Sequence, residues 1–484
     1  MVPGTNINIL DNQIGVAPPS TGDRLAVVGP CTLGPNATPT LCWSTADVKA
    51  TFGTGPAVEA ACYEIKHTGR PVLFVRSATF DAGEYSDLDV SDVTGTSVVT
   101  TNAATEPTDD AECVVEFVTG GNVGVAGITY RTSVDDGRNW SAPIALGTAT
   151  NITFGPNARI NLAAGTIVAL DRVTLRTVAP LWDTAQLTAA VTAVRSSLEK
   201  IQILEVVGPL DSVSFSALHS IAATFAEYGK EGIAVIGHAR MPDLGESEAA
   251  YKTAMDTEFS GSASRQIVLC YGAAEVRSAV DDKTLYRRPI SFQTAARVVN
   301  ISVGSDPAFQ GFGALPDTSI VDERKLPKHH DERQTPGADD SRFTTLRTWP
   351  DNGPAPYINN CRLMSEPGSD FEFVQSLRLI NRASLIVRRV LDKRQSEGLL
   401  VDEKTGFIDE DLAVDIDTEI EDALEKELVG PKQCSAVSFI LSRTDNILST
   451  KRLRGTLRVT PLAYLKTAEV DVGLFNPANN ITTV

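Results

Sequence analysis

The sequence predicts a multidomain α/β (α+β) protein with an all-β insertion and an extended arm at each end. The chain of 484 residues is long enough for several domains, each able to bury its own core. Apolar strands alternate with helical periodicity over residues 183–271, as is typical of parallel βαβ units. An earlier stretch rich in Thr, Ser, Val and Gly lacks helix formers, which indicates a separate β unit.

The N-terminal elements have the predicted order βααβ. A strand is expected at Leu25–Val28, and the cap Ser44-Thr-Ala-Asp47 predicts the start of a short helix. A second helix is expected at 58–66, followed by an apolar strand at 71–76.

A change in composition marks the insertion. Between Arg76 and Arg131 there are ten acidic residues and no Lys or Arg. We predict a small all-β unit at residues 88–180. Its expected strands are 113–118, 127–133, 151–154, 166–170 and 173–178.

The α/β pattern then resumes, and a long helix follows it. Buried strands are predicted at 201–207, 233–237 and 266–271, with helices between them. Ser369 and Glu372 have the spacing of a capping box, and an apolar stripe after them predicts the longest helix of the chain.

Short alternations of apolar and polar residues stand at the two ends, and we interpret them as arm strands: Ile7, Ile9, Val470, Val472 and Leu474. The predicted organisation is an N-terminal arm at 1–20, a middle α/β domain at 21–87 and 181–342, the β insertion at 88–180, a C-terminal domain at 343–467 and a C-terminal arm at 468–484.

Composition and motifs argue against several functions. The net charge of -18 disfavours direct binding of nucleic acid, and no apolar run is long enough for stable membrane insertion. No nucleotide-binding motif or catalytic triad is present, so we expect no enzyme activity and no cofactor. His329, His330 and Asp331 offer metal-ligand side chains, but a solvated loop is the favoured interpretation.

Seven cysteines are spread along the chain without a CxxC motif, so a zinc site is not expected. The favoured interpretation is reduced and mostly buried thiols. The alternative is a disulfide between subunits after release from the cell. Cys31, Cys42 and Cys434 lie in or next to Gly- and Pro-containing connections and are better placed for exposure than Cys270, which lies inside a buried strand pattern.

One short motif is more specific than the others. Residues 133–140, Ser-Val-Asp-Asp-Gly-Arg-Asn-Trp, match the Asp-box hairpin of sialidases and other β-proteins. Asp136 and Gly137 are expected to take the positive φ angles of a tight turn, with Trp140 packed over it. We predict a structural hairpin and no catalytic site.

Two groups of short motifs resemble the contractile tail sheath proteins of bacteriophages and related injection systems. The N-terminal group comprises Pro3-Gly4, Val27-Val28-Gly29, Gly34-Pro35, Ser44 to Asp47, Phe52-Gly53, Gly69-Arg-Pro71 and Phe74-Val75-Arg76. The C-terminal group comprises Arg347-Thr-Trp349, Tyr357-Ile-Asn359, Arg362-Leu363, Asp445-Asn446, Gly455 to Val459 and Pro461. One departure is Cys361-Arg362, where many members of the family carry two arginines.

The resemblance implies a structural subunit of a contractile tail sheath, built from discontinuous sheath domains. It implies that the insertion faces outward, that the C-terminal domain faces an inner tube, and that the arms add strands to neighbouring subunits. The implied partners are further copies in stacked rings or a helical array, the inner tail tube protein, and the baseplate and tail terminator proteins. The implied location is a virion tail assembled in the cytoplasm of a bacterial host, where contraction drives the tube through a cell envelope during genome ejection.

Two other functions remain open at this point. A glycan-binding or glycosidase-like protein would rest on the Asp-box hairpin, although no second box or arginine cluster is found. A soluble α/β enzyme of unknown chemistry would rest on the central βαβ units.

Overall fold

The computed structural model describes residues 24–228, 232–243, 245–322 and 324–474. The chain divides into two compact units, Met1–Glu397 and Gly398–Val484. Within the described residues, no helix has the length and apolar character needed to cross a bilayer.

The first unit begins with the βααβ order that the sequence predicts. Ser44 caps the first helix in a capping box with Asp47, and Pro56 stands in the first turn of the second helix. The elements are β1 (Leu25–Gly29), β2 (Thr40–Cys42), α1 (Thr45–Phe52), α2 (Pro56–Thr68) and β3 (Val72–Arg76).

An all-β segment follows. Its strands are β4 (Glu84–Asp89), β5 (Val99–Thr101), β6 (Ala111–Thr119), β7 (Gly121–Asn122), β8 (Thr129–Ser133), β9 (Ile144–Ala145), β10 (Asn151–Phe154), β11 (Ala158–Leu162), β12 (Thr166–Ile167) and β13 (Arg172–Val178). They form a sheet in the order β4-β13-β6-β8-β9, a sheet in the order β10-β11-β5 and the pair β12-β7. These strands share one core, to which Val115, Phe117, Ile160 and Val173 contribute fully buried side chains.

The chain then returns to the α/β sheet. The next elements are α3 (Thr184–Ser196), β14 (Ile203–Leu210), α4 (Ser212–Ala223), β15 (Ala234–Ala239), α5 (Glu248–Glu258) and β16 (Ile267–Cys270). The sheet has the order β16-β15-β14-β1-β3-β2, in which only β2 is antiparallel to its neighbour. β1 therefore pairs with β3 on one side and with β14 on the other, which makes the β1–β14 boundary the switch point of a doubly wound sheet.

The remaining elements of the first unit are β17 (Ala273–Arg277), β18 (Leu285–Pro289), α6 (Ser291–Asn300), β19 (Thr318–Ser319), β20 (Leu346–Thr348), β21 (Pro356–Ile358) and α7 (Val374–Asp392). One face of the α/β sheet packs on α1, α2 and α6, and the other packs on α3, α4 and α5.

Helix α7 is the longest helix of the described residues, as predicted, but its predicted cap is wrong. The helix begins after Phe373, and no side chain caps it. Ser369 instead accepts a hydrogen bond from the N–H of Phe371, and the Glu372 carboxylate pairs with Arg362. The carboxylate that the capping box requires is paired with Arg362 instead.

The second unit contains α8 (Glu410–Leu424), β22 (Ala436–Leu441), α9 (Ile447–Thr450) and β23 (Gly455–Thr460). β22 and β23 form an antiparallel hairpin, and α8 packs against it. The division at Glu397–Gly398 falls inside the predicted C-terminal domain 343–467, and the domain limits drawn from the sequence stay predictions.

Candidate assembly surfaces

The two free edges of the β22–β23 hairpin differ. In this hairpin Phe439 lies opposite Leu457, and Leu441 lies opposite Gly455. Along each strand of an antiparallel pair, alternate residues direct their N–H and C=O groups away from the partner strand. An edge without a partner is a template for a strand from another chain.

The edge of β22 is covered by helix α8. The N–H of Phe439 donates to Glu421 Oε1 at 2.9 Å, and the N–H of Leu441 donates to Asp417 Oδ1 at 2.9 Å. Arg443 Nη2 donates to the other oxygen of Asp417 at 2.8 Å, which holds that carboxylate in place. The outward N–H groups of Phe439 and Leu441 are therefore already satisfied.

The edge of β23 is open. Because Phe439 and Leu441 point their N–H groups away from β23, the opposing Leu457 and Gly455 direct theirs to the far side, and the alternation extends to Val459. Among the described residues, no hydrogen-bond acceptor meets these three N–H groups. One edge of the hairpin is thus available to a further strand.

The segment after β23 exposes the apolar residues that the sequence analysis assigns to the C-terminal arm. Val470, Val472 and Leu474 are 77%, 92% and 107% exposed, and they alternate with Asp471 and Gly473. In the described chain they belong to no strand. Extended backbone would place the three apolar side chains on one face. Their pairing with another subunit stays a prediction, and Ile7 and Ile9 lie outside the described residues.

The three thiols named as disulfide candidates are not exposed in the described chain. Cys31, Cys42 and Cys434 are all buried in the described chain, as are the other four cysteines. Burial raises the pKa of Cys31 to about 12 and that of Cys42 to about 11, and it also raises the pKa of Cys434. The thiolate is the reactive form, so these side chains are poorly reactive as they stand. A disulfide between subunits stays a prediction that now requires local opening.

The His329–Asp331 segment is not the solvated loop that was expected. His330 and Asp331 are buried, and His330 Nε2 lies 2.9 Å from Glu332 Oε2. Asp331 accepts hydrogen bonds from the N–H and the hydroxyl of Thr348, at 3.0 and 2.6 Å. Within the described ranges, no cluster of three or more potential ligand residues is arranged to hold a metal ion. These side chains instead stabilise the loop before β20.

The Asp-box hairpin has the predicted turn. Asp136 and Gly137 have φ angles of 55° and 79°, and a Cβ on Gly137 would lie 3.0 Å from the Trp140 ring. Ser133 donates to Asp135 Oδ1 at 2.7 Å, and the Asn139 N–H donates to the same oxygen at 2.8 Å. The Asp135 carboxylate is therefore used inside the turn.

The same hairpin joins the β segment to the α/β part of the unit. Asn139 Nδ2 donates to the carbonyl of Lys283 at 3.2 Å, and the N–H of Leu285 donates to Asp135 Oδ2 at 3.4 Å. Burial alone would raise the pKa of Asp135, but hydrogen bonds from Asn139 and Ser133 hold it below its ordinary value. The ionised Asp135 carboxylate therefore helps to hold the hairpin against the α/β part of the unit.

Sequence reasoning missed the two carboxylates that cover β22. Asp417 accepts a hydrogen bond from the backbone N–H of Leu441, and Glu421 accepts one from that of Phe439. The available signal was the i, i+4 spacing of Asp417 and Glu421, which places both on one face of α8.

Comparison with known proteins places this arrangement in a family. The sequence model of DUF2586, N-terminal domain, matches residues 2–353. The chain belongs to the DUF2586 family. A comparison of this DUF2586 chain with curated proteins gives no match.

Solved structures share the fold over almost the whole length of the DUF2586 chain. The contracted sheath complex of an extracellular contractile injection system, PVC, has a TM-score of 0.54 at 9% identity and covers 99% of both chains. A chain of the anti-feeding prophage baseplate has a TM-score of 0.50 at 11% identity, with 98% and 99% coverage. A sheath tail protein from Listeria innocua has a TM-score of 0.46 at 12% identity, with 93% and 97% coverage. The likeness to the PVC sheath complex, with its TM-score above 0.5, shows that the DUF2586 chain has the fold of a contractile-system sheath protein, as the resemblance implies.

Proposed function

We propose that this protein is the structural subunit of a contractile tail sheath. Copies of the chain polymerise around an inner tube, and their contraction drives the tube through the envelope of a target cell. The observation that carries the proposal is the fold shared with the PVC sheath over 99% of both chains.

The open edge of β23 supports assembly by strand addition. It offers the N–H groups of Gly455, Leu457 and Val459 to an incoming strand. The exposed apolar residues Val470, Val472 and Leu474 alternate with other residues, which is the pattern of a strand that can pair with the edge of another sheet. A strand from one subunit on the β23 edge of another would link subunits while leaving each domain free to reorient.

Partners and location follow from this role. The partners are further copies of the chain, an inner tail tube protein, and baseplate and tail terminator proteins. The assembled particle is a virion tail formed in the bacterial cytoplasm, and the subunit has no catalytic activity. The hydrogen bonds of the Asp-box carboxylate support a structural role for that motif instead of glycan binding.

Electron microscopy of the purified full-length protein tests the proposal. Long hollow tubes or stacked rings are the expected result, and a monodisperse monomer at high concentration would contradict it. A chain truncated after Thr467 lacks Val470, Val472 and Leu474, and it should remain folded but form no ordered tubes. Ordered tubes from the truncated chain would refute the role of the arm and leave the sheath proposal standing.

A further inference from the structure

A cleft lies at the switch point of the α/β sheet, between the sheet and the β segment. Its volume is about 470 Å³, within the usual range for small-molecule sites. Its floor includes Pro30 after β1, Pro209 near the end of β14 and Arg240 after β15. In doubly wound sheets, ligands bind outside the carboxyl ends of the strands at this point.

The floor of the cleft is rigid. His238 Nε2 accepts a hydrogen bond from the N–H of Gly208 at 3.2 Å, and its Nδ1 lies 2.8 Å from the carbonyl of Ala239. Burial lowers the pKa of His238 to about 4, so the ring is neutral at physiological pH. Gly208 has a φ of 123°, and a Cβ there would lie 2.6 Å from the Trp182 ring. The floor is therefore preformed.

Four arginines line the cleft, and three of them have a carboxylate partner. Arg288 pairs with Asp109 at 2.8 Å, Arg240 with Glu246 at 2.7 Å, and Arg176 with Glu112 at 3.3 Å. The fourth arginine differs from these three because, in the described chain, it forms no ion pair with a carboxylate.

Arg287 is that fourth arginine. It is half-buried, and its Nη2 donates to the carbonyl of Pro242. Within the described chain, no carboxylate lies within ion-pair distance of Arg287. Burial, reinforced by the positive charge of Arg176, lowers the pKa of Arg287.

Four carboxylates also line the cleft: Asp87, Asp110, Glu112 and Asp243. Asp110 Oδ1 accepts from the N–H of Ala179 at 2.8 Å, Asp87 and Glu112 lie 3.8 and 3.3 Å from Arg176, and Asp243 lies 3.5 Å from Arg240.

The rest of the cleft is largely apolar. Val178 lines it from β13, Leu181 from the segment after β13 and Met241 from the segment after β15, and all three have accessible surface. A half-buried guanidinium without a counter-ion, next to apolar walls, fits a ligand with one anionic group and an apolar body. We propose that this cleft binds a small organic anion, with a carboxylate, phosphate or sulfonate on Arg287 and the apolar part against Val178, Leu181 and Met241.

The proposal is tested by fluorescence titration of the full-length protein with 1-anilinonaphthalene-8-sulfonate, an apolar dye with one sulfonate. We expect saturable binding of one dye per chain. Arg287→Met should raise the dissociation constant at least tenfold, whereas Arg277→Met, which removes an exposed arginine from the same β17–β18 hairpin, should leave it unchanged. Equal binding by wild type and Arg287→Met would overturn the proposal.

Two further arms keep the test decisive if Arg287→Met does not fold. Val178→Trp fills the rim of the cleft without changing its charge and should abolish saturable dye binding. Benzoate should displace the dye at concentrations at which benzyl alcohol does not, because only benzoate carries the anionic group. Unchanged binding by Val178→Trp, or equal displacement by the two competitors, would refute the site or its preference for anions.

Discussion

Asp109 of the β segment binds Arg288 of the α/β part through two parallel hydrogen bonds, Oδ1 to Nη1 at 2.8 Å and Oδ2 to Nη2 at 2.9 Å. The Arg288 side chain is fully buried. Burial alone would lower the pKa of Arg288, but the Asp109 carboxylate raises it above its ordinary value. Glu59 lies close enough to favour the same charged form.

Asp109→Asn should strongly destabilise the first unit. The substitution leaves the buried Arg288 guanidinium without its bidentate partner, and breaking such a pair costs about 3–5 kcal/mol. Denaturant unfolding should therefore show a much larger loss in the free energy of unfolding for Asp109→Asn than for the exposed control Asp92→Asn. A loss equal to that of the control would mean that the pair contributes little.

Leu457→Pro should block assembly while the isolated chain stays folded. Proline removes an N–H that points away from β22, so the hairpin keeps its own hydrogen bonds while the open edge loses a donor. The matched control Leu457→Ala removes the side chain and retains the N–H. Sedimentation and electron microscopy should detect polymers for Leu457→Ala and none for Leu457→Pro. Polymers from both variants would exclude β23 as the accepting edge.

The β segment should be removable if the cut respects its first strand. The chain enters and leaves the segment side by side, since the N–H of Asp81 donates to the Leu181 carbonyl and the N–H of Leu181 donates to the Asp81 carbonyl, both at 3.0 Å. Replacing residues 83–179 by a short Gly/Ser linker should yield a soluble chain with cooperative thermal unfolding.

The control for that excision removes residues 88–180 instead. It leaves most of β4 without its partner β13, so exposed edge groups should promote aggregation in size-exclusion chromatography. Insoluble protein from the 83–179 excision would show that the α/β part requires the segment for folding.

Stability should fall between about pH 6.5 and pH 8 because two buried carboxyl groups retain protons there, whereas below about pH 6.5 the lowered pKa values of His238 and His329 act in the opposite direction. Glu64 and Glu205 are fully buried, and their four oxygens find no hydrogen-bond partner among the described residues. Burial raises the pKa of Glu205 to about 8, and burial together with Glu205 raises that of Glu64. In the unfolded chain these carboxyl groups lose their protons near pH 4.5. Above that pH, each proton that the folded chain retains lowers the free energy of unfolding by about 1.4 kcal/mol per pH unit.

Glu205→Gln should reduce this pH dependence, because it removes one titrating group and the partner that raises the pKa of Glu64. Thermal unfolding at several pH values should give a shallower decline for Glu205→Gln than for wild type. The exposed Glu366→Gln is the control and should match wild type. An unchanged slope in Glu205→Gln would show that the buried pair does not govern the decline.

The thiols should react slowly in the native chain. All seven are buried, and burial raises the pKa of Cys31, Cys42 and Cys434. Labelling with a thiol reagent such as dithionitrobenzoate should be slow before unfolding and complete after it. On a non-reducing gel, particles stored in air should give a single monomer band; a ladder that collapses with reductant would establish disulfides between subunits.

The sequence by itself determined the local features. Asp136 and Gly137 form the predicted turn because their preference for positive φ is a property of the residues themselves. Five of the ten strands of the β segment, namely β6, β8, β10, β12 and β13, and the length of α7 follow from periodicities of two and 3.6 residues, which place apolar side chains on one face of an element.

The tertiary structure alone decided which partner each polar group found. The Glu372 carboxylate pairs with Arg362 instead of forming the predicted cap, and the Asp417 carboxylate accepts from the backbone N–H of Leu441. The burial of Cys31 and Cys434 cannot be inferred from their Gly- and Pro-containing connections, because the burial of a side chain depends on the segments that pack over it. Backbone preferences act within a few residues and can be read locally, whereas burial and charge pairing arise only when distant segments meet.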